Sequence, residues 1–193
     1  MRRIILASES PRRSCLLQSL GLKFEIYRPQ LDEDGIRGDS PWQLVEKLAR
    51  AKAQAVANEV SSGVIIAADT VVVLDNKVLG KPRDESEAAA MLARLSDRKH
   101  QVITGVCVID QESGRLLTAS EITRVYFRAL SMEEIAAYVS TGEPLDKAGS
   151  YGIQGLGALL VERIEGCYYN VVGLPLFRLH LMLKEVGINI LGA

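Results

Sequence analysis

The most apolar run of the chain, residues 64 to 74, limits the folds that this sequence can adopt. The run is rich in valine and isoleucine, and it is too continuously hydrophobic for a strand with one face in water. We therefore predict a strand in the centre of a sheet. Asp69 and Thr70 interrupt the run, so a carboxylate lies in the middle of a segment that the fold must bury.

Helical and extended patterns alternate on both sides of this run. Further strands are predicted at residues 3–7, 23–28, 77–79, 100–110, 115–128 and 158–164, with a hairpin tip at Asp75-Asn76. Helices are predicted from Ser10-Pro11 to Gly21, from Ser40-Pro41 to Val60, from Asp84, from Ser131 to Gly142, and from Leu174 to Val186. The alternation predicts an α/β fold with a mixed β-sheet flanked by helices, whose site lies near strand ends.

Length and charge exclude several classes of protein. The 193 residues fit one domain, or two lobes around one cleft. No stretch approaches the roughly 18 apolar residues of a membrane span, and the apolar run after Arg3 is too short for an export signal. We therefore predict a cytoplasmic protein with no membrane partner. The net charge of -1 argues against a nucleic-acid partner, whose binding needs a basic patch.

The three cysteines, Cys15, Cys107 and Cys167, are far apart and show no CxxC spacing. Neither a disulfide framework nor a zinc site is indicated, and we predict that all three are buried as small hydrophobic residues. His100 and His180 have no catalytic partner nearby in sequence, and we interpret them as structural.

Asp69 is the strongest candidate for a functional side chain. A carboxylate in an apolar strand is either paired with backbone N–H groups or an arginine, or aimed into a cleft where it acts chemically. Sequence spacing alone leaves both interpretations open.

Several segments could bind a phosphate. Ser8 to Arg13 joins a strand to a helix N-terminus and carries hydroxyls and two guanidinium groups. Lys52 and Lys81 could add point charges, and the acidic loop Asp32-Glu33-Asp34 could supply an oxygen ligand to magnesium. Each of these features is also common on an ordinary solvated surface.

The run from Glu143 to Gly155 combines glycines, which let backbone approach a ligand, with the amide of Gln154. An amide both donates and accepts hydrogen bonds, which suits the edge of a nucleobase. The alternative is an ordered loop whose glycines serve only its turns.

Taken together, these segments resemble the Maf family, also called septum formation inhibitor proteins, over essentially the whole chain. The matching motifs are Leu6–Arg13, Ala68–Val72, Gly80–Pro82, His100–Gly105, Glu143–Gly149 and Val172–Pro175. The resemblance implies one Maf-like domain over residues 1–193, with a Maf/ITPase-like fold and two lobes around a central nucleotide-binding cleft. It also makes a homodimer plausible.

The resemblance implies hydrolysis of a nucleoside triphosphate between the α and β phosphates. Asp69 is then the proton acceptor, and a divalent metal cation (Mg²⁺, Mn²⁺ or Co²⁺) is the cofactor, with Asp69 and Glu33 as its ligands. The residues expected to hold the phosphates are Ser8, Arg12, Arg13, Lys52 and Lys81.

Three positions separate the subtypes of this family. The subtype that acts on dTTP and UTP carries arginine, threonine and glutamine, and this chain has Arg12, Thr70 and Gln154. The 7-methyl-GTP subtype tends to carry tryptophan, glutamine and glutamate. Ala68 departs from the glycine that is frequent at its position. The alternatives are a 7-methyl-GTP or non-canonical purine triphosphate pyrophosphatase, and a nucleotide-binding regulator of cell division without significant hydrolysis.

Overall fold

The protein is an α/β structure, described here by a computed structural model of residues 2–192. Within these residues there are seven strands: β1 Ile4–Ala7, β2 Glu25–Tyr27, β3 Val64–Leu74, β4 Lys77–Leu79, β5 Lys99–Asp110, β6 Arg115–Phe127 and β7 Val161–Glu165. The α-helices in the same range are α1 Pro11–Ser19, α2 Pro41–Ala57, α3 Glu85–Leu95, α4 Met132–Ser140, α5 Tyr168–Val172 and α6 Leu176–Glu185. Short 3₁₀ helices lie at Glu143–Asp146, Ala148–Ser150 and Gly155–Leu160.

The strands form one mixed sheet in the order β2-β1-β3-β5-β6-β7, and β4 pairs with β3 beside this path. β1 runs parallel to β2 and β3, whereas β4 is antiparallel to β3 and β7 is antiparallel to β6. The predicted fold class, an α/β fold with a mixed sheet flanked by helices, is confirmed. The bounds of β3 match the predicted central strand, and Asp75 and Asn76 turn the chain at φ values of 50° and 60°.

The described residues group into two compact units. The first unit comprises residues 2–69, 104–121 and 173–192. Its core packs α2 against β1 and β3 through small and branched side chains, among them Ala49, Ala53, Ile5, Ile65 and Ala67. Gly105 of β5 lies so close to α2 that a Cβ there would be 2.3 Å from the Val45 carbonyl oxygen.

The second unit comprises residues 70–103 and 122–172. Leu92 and Leu95 of α3, Ile135 and Tyr138 of α4, and Phe127 share one buried cluster. Helices α3 and α4 begin directly after the capping residues that the sequence predicted. Asp84 accepts from the Glu87 N–H at 2.8 Å, and Ser131 and Glu134 form a reciprocal capping box at the start of α4.

Several expectations are corrected. The strand expected from Ala158 begins at Val161, because the chain first folds back in the 3₁₀ helix, where a Cβ on Gly157 would be 2.1 Å from the Gly152 carbonyl oxygen. The expected last helix is shorter, at Leu176–Glu185, and the short helix α5 was not predicted. Cys107 is buried as predicted, but Cys167 is only partly buried, and Cys15 is exposed because α1 turns Leu16 and Leu17 inward instead.

No helix within residues 2–192 combines the length and the hydrophobicity that a membrane crossing requires.

Candidate active site

Asp69 interrupts β3 and finds its partner on α2. The ammonium of Lys52 donates to Asp69 Oδ1 at 2.6 Å, and the two side chains are only 12% and 14% exposed. The carboxylate therefore has a cationic partner, and the side chain that donates to it is a lysine. A charged pair so little exposed is held mainly by its mutual attraction, since little water is available to solvate either group.

The same ammonium also contacts the acidic loop. Lys52 Nζ lies 3.1 Å from Glu33 Oε1, and the Glu33 side chain is 47% exposed. Because an ammonium has three donors, one lysine can serve both carboxylates. We call Lys52, Asp69 and Glu33 the lysine–carboxylate bridge. The loop that presents Glu33 is shaped locally by Asp32, whose carboxylate accepts from the Asp34 N–H at 3.0 Å.

Ser8 and Arg13 form a second polar pair in the first unit. Ser8 follows β1 and is 5% exposed, and its Oγ accepts from Arg13 Nη1 and from the Ser10 N–H, each at 3.2 Å. Arg13 Nε donates to the Gly173 carbonyl oxygen at 2.8 Å. These bonds fix the direction of the guanidinium at the start of α1, which Pro11 opens.

Arg13 is electrostatically coupled to the lysine–carboxylate bridge. Burial lowers the pKa of its guanidinium from the ordinary value, the Asp69 and Glu33 carboxylates oppose that change, and neighbouring Arg12 adds to it. Arginine nevertheless stays charged in proteins. The half-buried guanidinium is thus electrostatically coupled to two carboxylates. Such a group suits an anionic ligand with a bound metal cation, because the guanidinium can bind the anion and the carboxylates can bind the metal.

The second unit carries Thr70, Lys81 and Gln154, whereas Arg12 lies beside Arg13 on α1 of the first unit. Thr70 follows Asp69 in β3 and is partly buried, and Lys81 is exposed in the loop after β4. The Gly149 N–H donates to the Gly80 carbonyl oxygen at 3.0 Å, which ties the Lys81 loop to the glycine-rich segment. Gln154 lies in that segment, is exposed, and caps no backbone N–H with its side chain.

The first unit thus brings Ser8, Arg13, Lys52, Glu33 and Asp69 into one electrostatically linked group. The sequence had suggested phosphate binding for Lys52 but not its bond to Asp69, because the two residues lie on different elements and no local pattern joins them. It also gave no separate role to Glu143, although this residue opens one of the quoted motifs. The contacts of Glu143 within the second unit are described below.

Partly buried cations next to a carboxylate, on a mixed α/β sheet, are an arrangement typical of enzymes that act on phosphorylated small molecules. A family model described as Maf-like protein matches residues 3–186. The chain belongs to the Maf-like protein family, as the sequence motifs predicted.

The chain is similar over nearly its whole length to several curated relatives. It is 54% identical to the dTTP/UTP pyrophosphatase of Syntrophomonas wolfei, covering 96% of this chain and 98% of that protein. It is 51% identical to the dTTP/UTP pyrophosphatase of Pelotomaculum thermopropionicum, covering 99% and 100%. Among solved structures, a HAM1 protein from Coxiella burnetii aligns with a TM-score of 0.51 and 15% identity, covering 96% of this chain and 100% of that one. That likeness concerns the fold alone.

Proposed function

We propose that this protein hydrolyses dTTP and UTP to the nucleoside monophosphate and pyrophosphate. The observation that carries the proposal is the lysine–carboxylate bridge, in which Lys52 Nζ lies 2.6 Å from Asp69 Oδ1 and 3.1 Å from Glu33 Oε1. The bridge supplies a proton acceptor, a phosphate-binding cation and oxygen ligands in one place. The names of relatives about half identical in sequence support the substrate.

The donor set fits a divalent metal that is shared with the substrate. Within residues 2–192 there is no group of three or more His, Cys, Asp and Glu side chains that could hold a metal alone. Mg²⁺ is commonly bound through one or two carboxylates together with substrate phosphates and water. Asp69 and Glu33 would hold such a cation, which would offset the charge of the pyrophosphate leaving group. Oxygen ligands equally suit Mn²⁺ and Co²⁺.

The other site residues bind the phosphates and accept the proton. Arg13 and Ser8 bind and orient phosphate oxygens, and Lys52 and Lys81 add positive charge along the polyphosphate. Asp69 accepts the proton of the water that attacks the α-phosphorus, while the hydrogen bond from Lys52 directs this carboxylate. The bond between the α-phosphorus and the bridging oxygen breaks, and pyrophosphate leaves. Positioning of the water and the phosphate in line supplies much of the acceleration.

Base selection is assigned to Arg12, Thr70 and Gln154. Gln154 is the residue with a direct chemical argument, because its amide can donate to a carbonyl and accept from the imide N–H of thymine or uracil. A site that pairs with these groups rejects bases that cannot return the same bonds. The triple variant Arg12→Trp, Thr70→Gln and Gln154→Glu should therefore lose pyrimidine turnover; an unchanged substrate ranking would refute the assignment.

The first test is pyrophosphate release from dTTP, UTP, CTP, GTP, 7-methyl-GTP and ITP, each with and without Mg²⁺. Metal-dependent release confined largely to dTTP and UTP is expected. A preference for 7-methyl-GTP or ITP would overturn the assigned base pocket, and nucleotide binding without any release would favour a regulator.

The role of Asp69 is tested by Asp69→Asn. The amide keeps an oxygen for the Lys52 ammonium but cannot take up the proton of water, so kcat should fall by about 10²- to 10⁴-fold while nucleotide affinity changes little. Asp75→Asn is a matched control, because Asp75 lies at the exposed tip that follows the same strand and pairs with Arg98 at 2.6 Å. Full turnover in Asp69→Asn would reject Asp69 as the base.

Two lobes around one cleft, a homodimer and a cytoplasmic location stay predictions of the sequence.

A further inference from the structure

Gln154 stands immediately before the 3₁₀ helix Gly155–Leu160, at the position where a side chain usually accepts from the first free N–H groups. Its own side chain accepts from none of them. The exposed amide is therefore not engaged in capping. The first N–H groups of that helix must then be satisfied by another acceptor.

The acceptor is Glu143, twelve residues before Gly155. Glu143 Oε2 accepts from the Leu156 N–H at 3.2 Å, and Oε1 accepts from the Gly157 N–H at the same distance of 3.2 Å. One carboxylate thus caps the turn with both of its oxygens. The shape of the turn makes this possible, because Gly155 adopts φ 66° and a Cβ there would come 3.0 Å from Glu143 Oε2.

Tyr138 of α4 holds the carboxylate in place. Its hydroxyl donates to Glu143 Oε1 at 2.9 Å and accepts from the Gly152 N–H at 3.4 Å. Burial of the ring, followed by the hydrogen bond to the Glu143 carboxylate, raises the pKa of Tyr138 far above its ordinary value. The hydroxyl therefore stays protonated and remains a donor. The backbone on both sides of Gln154 is thereby fixed to one buried residue of a helix.

We propose that Glu143 is a specificity-positioning residue, which caps the turn after Gln154 and so leaves the Gln154 amide free and oriented for the nucleobase. This inference rests on the proposed function, since it assigns the base contact to Gln154. Glu143 itself is not expected to touch the substrate. Its loss should therefore affect discrimination between bases more than the chemical step.

The test compares UTP with CTP. Cytosine presents an amino donor and an unprotonated ring nitrogen where uracil presents a carbonyl and an imide N–H, so a misplaced amide loses the distinction. In Glu143→Ala the ratio of kcat/KM for UTP over CTP should fall by about tenfold, mainly through KM for UTP, as expected for one hydrogen bond to the base. Glu143→Gln keeps one acceptor oxygen and should recover part of the ratio.

A merely structural role is excluded by a matched control. Asp84 caps α3 in the same unit through the Glu87 N–H at 2.8 Å, and it has no contact with the Gln154 segment among the described hydrogen bonds. Asp84→Ala should lower the melting temperature to a similar extent and leave the UTP/CTP ratio unchanged, with both variants assayed well below their melting temperatures. Equal loss of the ratio in both variants, or an unchanged ratio in Glu143→Ala, would overturn the proposal.

Two further measurements separate this inference from the proposed function. Amide hydrogen exchange at Leu156 and Gly157 should accelerate in Glu143→Ala but not in Asp84→Ala. Calorimetric binding of UMP and CMP should show the same loss of discrimination without any turnover. If the wild-type protein binds UMP selectively and Glu143→Ala loses that selectivity, but no pyrophosphate is released from UTP, the proposed function fails and the inference stands. The inference alone fails if UTP is hydrolysed but Glu143→Ala keeps the wild-type amide exchange, the wild-type UTP/CTP ratio of kcat/KM and the wild-type UMP/CMP ratio of affinities.

Discussion

Removing the ammonium of Lys52 tests how much of the site depends on the lysine–carboxylate bridge. Lys52→Met retains the length of the aliphatic side chain on α2 and deletes only the charge. The Asp69 carboxylate then lies in an apolar strand without the donor that was 2.6 Å away. Glu33, a second negative charge, stays nearby because it approached the same ammonium.

The expected loss of stability lies between two limits. Breaking a fully buried ion pair costs about 3–5 kcal/mol, whereas exposed pairs contribute up to about 1 kcal/mol. Lys52 and Asp69 are 12% and 14% exposed, near the buried limit, but Glu33 is 47% exposed and can turn to water. We therefore expect the free energy of unfolding near pH 7 to fall by about 2 kcal/mol, or a melting temperature lower by about 4–8 °C for a chain of this length.

Urea denaturation measures this change, with Lys47→Met as the control. Lys47 lies five residues earlier on α2, is exposed, and donates to the Arg37 carbonyl oxygen at 3.0 Å. Its replacement should change stability by less than about 0.5 kcal/mol. The double variant Lys52→Met/Asp69→Asn should recover most of the loss, because the uncompensated charge is gone. A double variant as unstable as Lys52→Met would refute the reasoning.

Two other predictions concern packing and pH. Gly105→Ala should lower the free energy of unfolding by about 1–3 kcal/mol, because its Cβ would meet Val45 backbone that cannot move aside. Gly35→Ala is the control, because a Cβ at Gly35 would have nothing within 4 Å. Equal urea midpoints for the two variants would contradict the close approach at Gly105. Burial lowers the pKa of His100 from 6.5 to about 4, so its contribution to stability is complete above pH 6.5 and is lost as the pH falls toward 4. The loss of stability amounts to about 3 kcal/mol. His100→Gln should remove this pH dependence from the free energy of unfolding measured between pH 6.5 and pH 4. The same pH dependence in His100→Gln and in the wild type would contradict the prediction.

Local features of the fold were predictable from the sequence because their causes are local. The apolar run fixed β3, and Asp75-Asn76, which tolerates positive φ, fixed its hairpin. The capping box of Ser131 and Glu134 fixed the start of α4 for the same reason. Where glycine permits several backbone paths, prediction failed, as it did when the segment before Val161 formed a 3₁₀ helix in place of a strand.

The partners within the site were not predictable, because they depend on packing between distant segments. The spacing of residues identified Asp69 as unusual and left open whether it is paired or acts in a cleft, but it did not indicate Lys52, 17 residues earlier on α2, as a donor to it. Glu143 and Gly157 are separated by 14 residues, and only the reversal of the chain brings them together. The sequence shows that a carboxylate in an apolar segment needs a partner, but the packing of distant segments determines which residue that partner is.

The lysine–carboxylate bridge depends on how closely α2 packs on the sheet. Small residues on its buried face, Ala49 and Ala53, lie against β1 and β3. Between them, Lys52 leaves the core face and reaches Asp69 with its ammonium only 2.6 Å away. A larger side chain at either alanine would push the helix outward, and the ammonium would lose a contact that tolerates little lengthening. The tight packing of α2 therefore holds the charge arrangement as well as the core.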